Sequence, residues 1–212
     1  MFTGIVQTTA PVLRATRGNE VLTFALGMTP TLLDDLKIGA SVAIEGCCLS
    51  VTSMGEGYAT FDAMLATLER TNLARIADGV SVNVERSMKP TDENGGHMVS
   101  GHVSTTAQIT ALETEGPKAR ISFRVAPEWA KYIFVRGFLA VNGCSLTVGD
   151  VQEDPAGDIF TVYLIPETLR STTFGTYKVG DYLNIEVEHQ TMITVEVMER
   201  TLTRLLRDKT LA

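Results

Sequence analysis

The sequence has few of the residues that would indicate a metal site, a disulfide framework or a charged polymer as partner. Three cysteines, two of them adjacent, favour a reducing cytoplasm. Three scattered histidines without a nearby Cys-x-x-Cys lack zinc-site spacing. The net charge of -7 argues against nucleic acid or an anionic membrane as partner. No apolar run approaches the roughly 20 residues that span a bilayer, and no signal peptide is evident.

An internal repeat is the main positive signal. The stretch Ile44–Val51 (IEGCCLSV) returns 97 positions later as Val141–Val148 (VNGCSLTV), with four of eight residues identical. The same offset aligns Met1–Ala10 with Met98–Ala107, with six of ten identical. After four extra residues in the second copy, an offset of 101 places Thr67-Leu68 on Thr168-Leu169. The chain is therefore predicted to be a tandem duplication.

Each copy has the pattern of a small β-domain. Short segments rich in β-branched residues alternate apolar with polar side chains, and in the first copy they cover 41–44, 49–52, 58–61 and 80–84. Two segments, Pro30–Leu36 and Met64–Leu73, favour helix. Evenly spaced short strands with an inserted helical turn are typical of a closed barrel. The polar segment Lys89–Gly96 marks a boundary, so we expect barrels over 1–96 and 97–188.

The last 24 residues, 189–212, have no counterpart after the first repeat. Val195, Met198, Leu202 and Leu205 recur at i, i+3, i+7 and i+10, which predicts a helix with a narrow apolar seam. That helix either packs on its own barrel or packs against copies of itself in a homo-oligomer. The missing counterpart favours the second interpretation.

Several of these motifs together resemble the riboflavin synthase family of the alpha, or trimeric, type. The resemblance covers essentially the whole chain in order, and its most specific part is the linker GGHMVSGHV. The motifs that carry it are Met1–Val6, Gly46–Leu49, Gly95–Val103 and Ile165–Leu169.

The resemblance implies a fold, an assembly and a reaction. The family has two six-stranded Greek-key barrels plus a C-terminal helix through which it forms a homotrimer. It converts two molecules of 6,7-dimethyl-8-ribityllumazine into riboflavin and 5-amino-6-(D-ribitylamino)uracil by transfer of a four-carbon unit, without cofactor or metal. The working site joins the N-terminal barrel of one subunit to the C-terminal barrel of its neighbour. Lumazine synthase is implied as a candidate partner.

The resemblance also implies site residues, and the repeat makes two of them a matched pair. Cys48 is a candidate nucleophile or polarising group, or else a small buried hydrophobe. Ser145, at the same position in the second copy, has a pocket role or bonds the backbone of its strand. His102 replaces Ile5 in the repeat, so it is a candidate proton carrier or a structural linker histidine. Thr147 is placed with Ser145, whereas Cys47 is expected in the core.

The remaining implied residues bind substrate. Two corresponding segments lead into helices, and their threonines, Thr67 and Thr168, either bind ligand or cap the helices. Glu188 stands where the family commonly has Asp, and Arg136 where it often has Lys, so both contacts differ in geometry. The full set of implied binding residues is Gly4, Ile5, Val6, Ser41, Cys47, Leu49, Ser50, Asp62, Ala63, Met64, Leu65, Ala66, Thr67, Gly101, Val103, Arg136, Leu146, Tyr163, Leu164, Ile165, Pro166, Glu167 and Thr168. Those implied as catalytic are Cys48, His102, Ser145, Thr147 and Glu188.

Two other functions fit a double barrel. One is a non-catalytic lumazine- or flavin-binding antenna protein, a class that has lost much of the second pocket. The second copy here keeps GCSLTV, PETL and His102, which favours the enzyme. The other is an unrelated duplication of barrels, against which the linker motif argues.

Overall fold

The computed structural model describes residues 1–210, which form two β-barrels followed by one long helix. The strands of the first barrel are β1 (Thr8–Arg17), β2 (Val21–Gly27), β3 (Ser41–Ile44), β4 (Cys47–Gly55), β5 (Tyr58–Met64) and β6 (Ser81–Arg86). Those of the second are β7 (Thr105–Glu115), β8 (Lys118–Arg124), β9 (Phe138–Val141), β10 (Cys144–Gln152), β11 (Ile159–Leu164) and β12 (Tyr182–Val187). The helices are α1 (Pro30–Leu33), α2 (Leu65–Arg70), α3 (Pro127–Ala130), α4 (Pro166–Ser171) and α5 (His189–Thr210).

Both barrels are closed and antiparallel, with the same strand order. The first runs β1-β2-β5-β4-β3-β6, and the second repeats it as β7-β8-β11-β10-β9-β12. Strands β3, β4 and β5 are consecutive neighbours, and β6 returns by a longer connection to lie beside β3, which is the Greek-key arrangement. The predicted pair of six-stranded barrels with a C-terminal helix is confirmed.

Alternation along β4 shows how the sequence sorts side chains between core and surface. Cys47, Leu49 and Val51 point into the core of the first barrel, whereas Cys48 is half-buried and Ser50 exposed on its outer face. Successive residues of a strand point to opposite faces, so the two adjacent cysteines are separated by the sheet itself. The expectation that Cys47 lies in the core is confirmed.

The core of each barrel contains a side chain from the segment that precedes the other barrel in the sequence. Val6 precedes β1 yet packs in the core of the second barrel, and Val103 precedes β7 yet packs in the core of the first. Phe2 and Val99 pair across the boundary in an isolated bridge and share a small cluster with Ala43 and Ala140. The two barrels are therefore interlocked rather than merely adjacent.

A buried polar cluster at the barrel boundary follows an approximate two-fold relation. The Asn72 N–H donates to Asn184 Oδ1 at 2.7 Å, and at the matched position the Thr173 N–H donates to Asn83 Oδ1 at 2.8 Å. Likewise the Asn83 N–H donates to Glu45 Oε1 at 2.6 Å and the Asn184 N–H to Asn142 Oδ1 at 2.7 Å.

The symmetry of this cluster is broken at Glu45, whose repeat counterpart is Asn142. The fully buried Glu45 carboxylate accepts from Tyr177 Oη at 2.7 Å and pairs with Arg75 at 2.9 Å. Burial raises the pKa of Glu45, and the Arg75 charge opposes that shift. This pair of equivalent positions thus holds one carboxylate where strict duplication would hold two.

The elements outside the barrels are shorter or longer than predicted. The helical segment at 30–36 ends at Leu33, and the one at 64–73 divides into α2 and a 3₁₀ turn, Asn72–Arg75. Helix α5 begins directly after Glu188, as predicted, and residues 211 and 212 lie outside the described residues. Of the helices the structure describes, none has the length and apolarity needed to cross a membrane.

Candidate active site

Cys48 lies on the outer face of the first barrel, under the segment that precedes the second. Its N–H donates to the Gly101 carbonyl at 2.9 Å. Gly101 has φ +81°, and a Cβ built on it would stand 2.5 Å from Cys48 Cβ. Only glycine permits this approach, which leaves the thiol half-buried. His102 follows directly and is exposed, so the structure brings the predicted pair into one region.

Ser145 makes the equivalent backbone contact with the N-terminal segment that contains Gly4. Its N–H donates to the Gly4 carbonyl at 2.8 Å, and a Cβ on Gly4, which has φ +74°, would stand 2.6 Å from Ser145 Cβ. The linker covers Ser145 as well, because Gly96 also packs against its side chain.

His97 is the residue in this site that the sequence interpretation missed. Its Nδ1 lies 2.6 Å from Ser145 Oγ, and its ring packs on Phe138 at 4.7 Å between centroids. Burial lowers the pKa of His97, with the charge of Glu188 opposing, so the imidazole is held toward its neutral form. A neutral imidazole bonded to a hydroxyl is suited to accept its proton. The linker motif contained this histidine, but nothing in the repeat indicated its partner.

Around Cys48 the outer face of the first barrel is polar. The strand register places Ser41 beside Ser50, and Ser50 stands one position before the pair Val51–Phe61, so it lies next to Asp62. Thr23 Oγ1 donates to Asp62 Oδ1 at 2.6 Å. Three hydroxyl side chains and one carboxylate therefore form a row across four strands. The member of this row in β4, Ser50, lies two positions along the strand from Cys48.

The corresponding row of the second barrel has aromatic side chains at two of its four positions. In order across the strands, the row of the second barrel consists of Phe138, Thr147, Tyr163 and Arg120. These residues correspond in that order to Ser41, Ser50, Asp62 and Thr23 of the first barrel. Tyr163 packs its ring over Gly149 and donates its hydroxyl to Asp150 at 3.1 Å. Tyr163, Leu164 and Ile165 line a cavity of about 610 Å³ together with residues of the β7–β8 hairpin.

The segments 62–67 and 163–168 occupy matched places, each ending a strand and beginning a helix. The N-caps of α2 and α4 are Met64 and Ile165, and neither makes a capping side-chain bond. Thr67 and Thr168 lie inside the helices, where their carbonyls accept from Thr71 and Thr172 at 2.7 and 2.5 Å. The capping alternative for these two threonines is therefore wrong. The predicted residues of these segments that are exposed are Asp62, Met64, Leu65, Ala66, Tyr163, Ile165, Pro166 and Glu167.

Several predicted binding residues are buried in the barrel cores, so their side chains do not reach the outer faces. They are Val6, Cys47, Leu49, Ala63, Val103, Leu146 and Leu164. Ile5, by contrast, is exposed beside Gly4.

Glu188 and Arg136, the two departures from the family pattern, have structural surroundings of their own. The Glu188 carboxylate accepts from the N–H groups of Gln190 and Thr191 at 2.9 and 2.6 Å, which caps α5. Partial burial opposes ionisation, but these bonds keep the pKa of Glu188 below its ordinary value. Arg136 is exposed at φ +66° in the turn before β9, and its N–H donates to Val148.

Comparison with known proteins agrees with the duplicated architecture. A family model described as the lumazine binding domain matches residues 3–87 and again residues 100–188. A riboflavin synthase from Escherichia coli is 43% identical over 203 residues, which are 95% of this chain and 93% of that protein. The chain belongs to the riboflavin synthase family. Riboflavin synthases from Chlamydia pneumoniae and Bacillus subtilis are 38% and 33% identical, over 95% and 89% of this chain and 97% and 85% of theirs.

Solved structures of LumP have the same fold. LumP complexed with riboflavin has a TM-score of 0.80 at 20% identity, covering 89% of this chain and all of LumP. LumP complexed with 6,7-dimethyl-8-(1'-D-ribityl) lumazine gives 0.79 at 19%. The riboflavin synthase fold is therefore shared with LumP, and the likeness extends to the fold alone.

Proposed function

We propose that this chain catalyses the riboflavin synthase reaction, in which one 6,7-dimethyl-8-ribityllumazine transfers four carbons to another. The products are riboflavin and 5-amino-6-(D-ribitylamino)uracil. Supporting this is full-length similarity to riboflavin synthases at 32–43% identity. The observation that carries the proposal is the pair of matched outer faces, one around Cys48 and one around Ser145, each suited to the same molecule.

Joining two identical molecules requires that they be held face to face. Correct positioning alone supplies about 7–11 kcal/mol of a barrier in the best intramolecular models. The donor loses a proton from its 7-methyl group, and the acceptor is attacked at C7, so the site needs a base, a nucleophile and hydrogen-bond donors. The Cys48 thiol with His102, and the Ser145 hydroxyl with His97, provide one such set on each barrel.

We propose that the two faces meet between subunits rather than within one chain. In this arrangement the first barrel of one subunit faces the second barrel of its neighbour in a homotrimer.

Helix α5 supports the assembly. Lys131 pairs with Glu196 and Glu199 at 3.1 and 2.5 Å and holds one side of α5 to the second barrel. Val197, Met198, Leu202 and Leu205 on α5 are more than half exposed. We assign residues 1–96, 97–188 and 189–212 to first barrel, second barrel and trimer helix.

The direct test of the reaction uses the proposed substrate alone. Purified protein incubated with 6,7-dimethyl-8-ribityllumazine is expected to form riboflavin and the ribitylaminouracil in equal amounts, measured by absorbance and chromatography. Tight binding without conversion would reject the enzyme and favour a non-catalytic lumazine-binding protein.

The test of assembly removes α5. Ending the chain after His189 is expected to give monomers in light scattering and to abolish nearly all turnover, because the two faces no longer meet. The control is Leu202→Ala, which keeps the helix but shortens its exposed seam and should weaken the trimer partially. A truncated protein of unchanged trimer mass would contradict the assembly.

A further inference from the structure

Two buried carboxylates lie between the barrels and hold the segments that cross from one to the other. Glu186 in β12 is 7% exposed and accepts from the Ser100 N–H at 2.7 Å, the Ser100 hydroxyl at 2.8 Å and the Gly101 N–H at 2.9 Å. Three donors to one carboxylate form a strong charge-assisted anchor.

The anchored segment covers the site of the opposite barrel. Gly101 donates to Glu186 on one side and accepts from the Cys48 N–H on the other, at 2.9 Å in both bonds. The Ser100 hydroxyl also accepts from the His102 N–H at 3.1 Å. Glu186 belongs to the second barrel, but Cys48 and the following Val103 belong with the first. The position of the first barrel's thiol and histidine therefore depends on a carboxylate of the second.

Glu85 in β6 repeats this arrangement for Ser145. It is 4% exposed and accepts from the Thr3 N–H at 2.6 Å, the Thr3 hydroxyl at 2.7 Å and the Gly4 N–H at 3.2 Å. The Thr3 hydroxyl accepts from the Ile5 N–H at 3.2 Å, as Ser100 does from His102. Gly4 then accepts from the Ser145 N–H. The same contacts thus recur at two places in the chain with the roles of the barrels exchanged.

We propose that Glu186 and Glu85 are positioning residues, each setting the geometry of the face on the opposite barrel. Glu186 fixes Gly101 and His102 against Cys48, and Glu85 fixes Gly4 and Ile5 against Ser145. The inference deepens the proposed function, on which its catalytic meaning rests. The effect of Glu186 on the position of Cys48 can be measured without substrate.

The test follows alkylation of Cys48 by iodoacetamide, located by mass spectrometry, in the full-length protein. Cys48 is half-buried whereas Cys47 and Cys144 are buried, so its modification is separable from theirs. Glu186→Gln replaces an acceptor oxygen by an amide donor facing N–H groups, which loosens Gly101. We expect at least a fivefold faster alkylation of Cys48 in this variant.

Glu85→Gln is the matched control, because it loosens the mirror segment over Ser145 and should leave the Cys48 rate within twofold. Ser100→Ala removes one of the three donors and should raise the rate by a smaller factor, which keeps the test available if Glu186→Gln does not fold. Equal Cys48 rates in wild type, Glu186→Gln and Ser100→Ala would overturn the proposal. So would equal acceleration by Glu85→Gln, since that indicates general loosening of the barrels.

A second readout connects the proposal to turnover. Glu186→Gln and Glu85→Gln are each expected to lower kcat at least tenfold, with KM changed less than threefold. A change confined to KM would reject the positioning role. If the protein converts no lumazine at all, the proposed function fails, but the alkylation rates still decide the role of Glu186.

Discussion

The two outer faces differ most at the positions that the duplication made equivalent. Around Cys48 the neighbouring row is Ser41, Ser50 and Asp62, whereas around Ser145 it is Phe138, Thr147 and Tyr163. One face offers a half-buried thiol among hydroxyls and a carboxylate. The other offers a hydroxyl bonded to a buried histidine, beside aromatic rings. In the proposed reaction, matched backbones with unlike side chains would bind the same molecule in two different ways, as a donor and an acceptor require.

The strongest test of this contrast removes the reacting group of each face separately. Cys48→Ala and Ser145→Ala are each expected to lower turnover by about 10²- to 10⁴-fold, the usual range for loss of a proton-transfer group. His102→Gln should lower turnover with the fold intact, measured as kcat by riboflavin absorbance. Circular dichroism of each variant provides the control for folding. Wild-type rates in these variants would mean that the chemistry is assigned to the wrong residues.

A second test changes one backbone contact of the first face, the close approach of Gly101 to Cys48. Gly101→Ala introduces a methyl group 2.5 Å from Cys48 Cβ at φ +81°. We expect about a 100-fold loss of turnover, since displacement by 1 Å has this effect in catalytic sites, together with about 1–2 kcal/mol of lost stability. Gly57→Ala is the matched control, because Gly57 has φ +76° in open space. Equal activity losses in both variants would exclude the Cys48 contact as the cause.

The barrel boundary offers a third test, because Glu45 and Asn142 are equivalent positions with unequal charge. Glu45→Gln is expected to lower the free energy of unfolding by about 1–3 kcal/mol, the range for a perturbed buried hydrogen-bond network. Burial raises the pKa of Glu45 in the folded state. Its contribution to stability is therefore complete below about pH 4.5 and is lost as pH rises through the folded-state pKa.

The advantage of wild type over Glu45→Gln should accordingly shrink as pH rises above about 4.5 and through the folded-state pKa, measured by urea unfolding at several pH values. The lowered pKa of His97 makes the free energy of unfolding rise with pH, but this contribution is common to both proteins and cancels in the difference between them. Glu69→Gln, at an exposed position, serves as the surface control. A pH-independent difference between wild type and Glu45→Gln would contradict the raised pKa.

The smallest expected effect concerns the cap of α5, which has no equivalent after the first barrel. Glu188→Ala removes the acceptor of two N–H groups and should cost about 1 kcal/mol of stability. Glu188→Asp keeps a capping carboxylate and should retain most of it, as thermal unfolding would show. If Glu188→Ala keeps full stability but loses turnover, Glu188 acts in the reaction rather than as a cap.

The sequence predicted the architecture well because repeat and alternation are both local patterns. The strand at Ser41–Ile44 has the predicted bounds, and alternation placed Cys47 and Cys48 on opposite faces. Strands β1 and β2 were not recognised. Strand β1 carries a bulge between Val12 and Arg14, which breaks the period-two pattern.

The contacts between the barrels were beyond pattern reasoning. The bond of His97 to Ser145 spans 48 positions, and those of Glu85 and Glu186 span more than 80. Such contacts depend on how two closed barrels meet, which neither alternation nor the repeat offset specifies. The repeat did contain a clue, since Glu85 and Glu186 occupy matched positions, but a glutamate on a strand gives no indication of its partner.

The exchange of Val6 and Val103 has a consequence for how the chain folds as it is synthesised. The first barrel lacks a core side chain until residue 103 has emerged, and Val6 has no core to enter until the last strand of the second barrel is complete. Domains usually fold one after another from the N-terminus. Here the first barrel can complete its core once Val103 has emerged, but the core of the second also takes in Val6 from the start of the chain, so the packing between the two barrels is completed only in a late step.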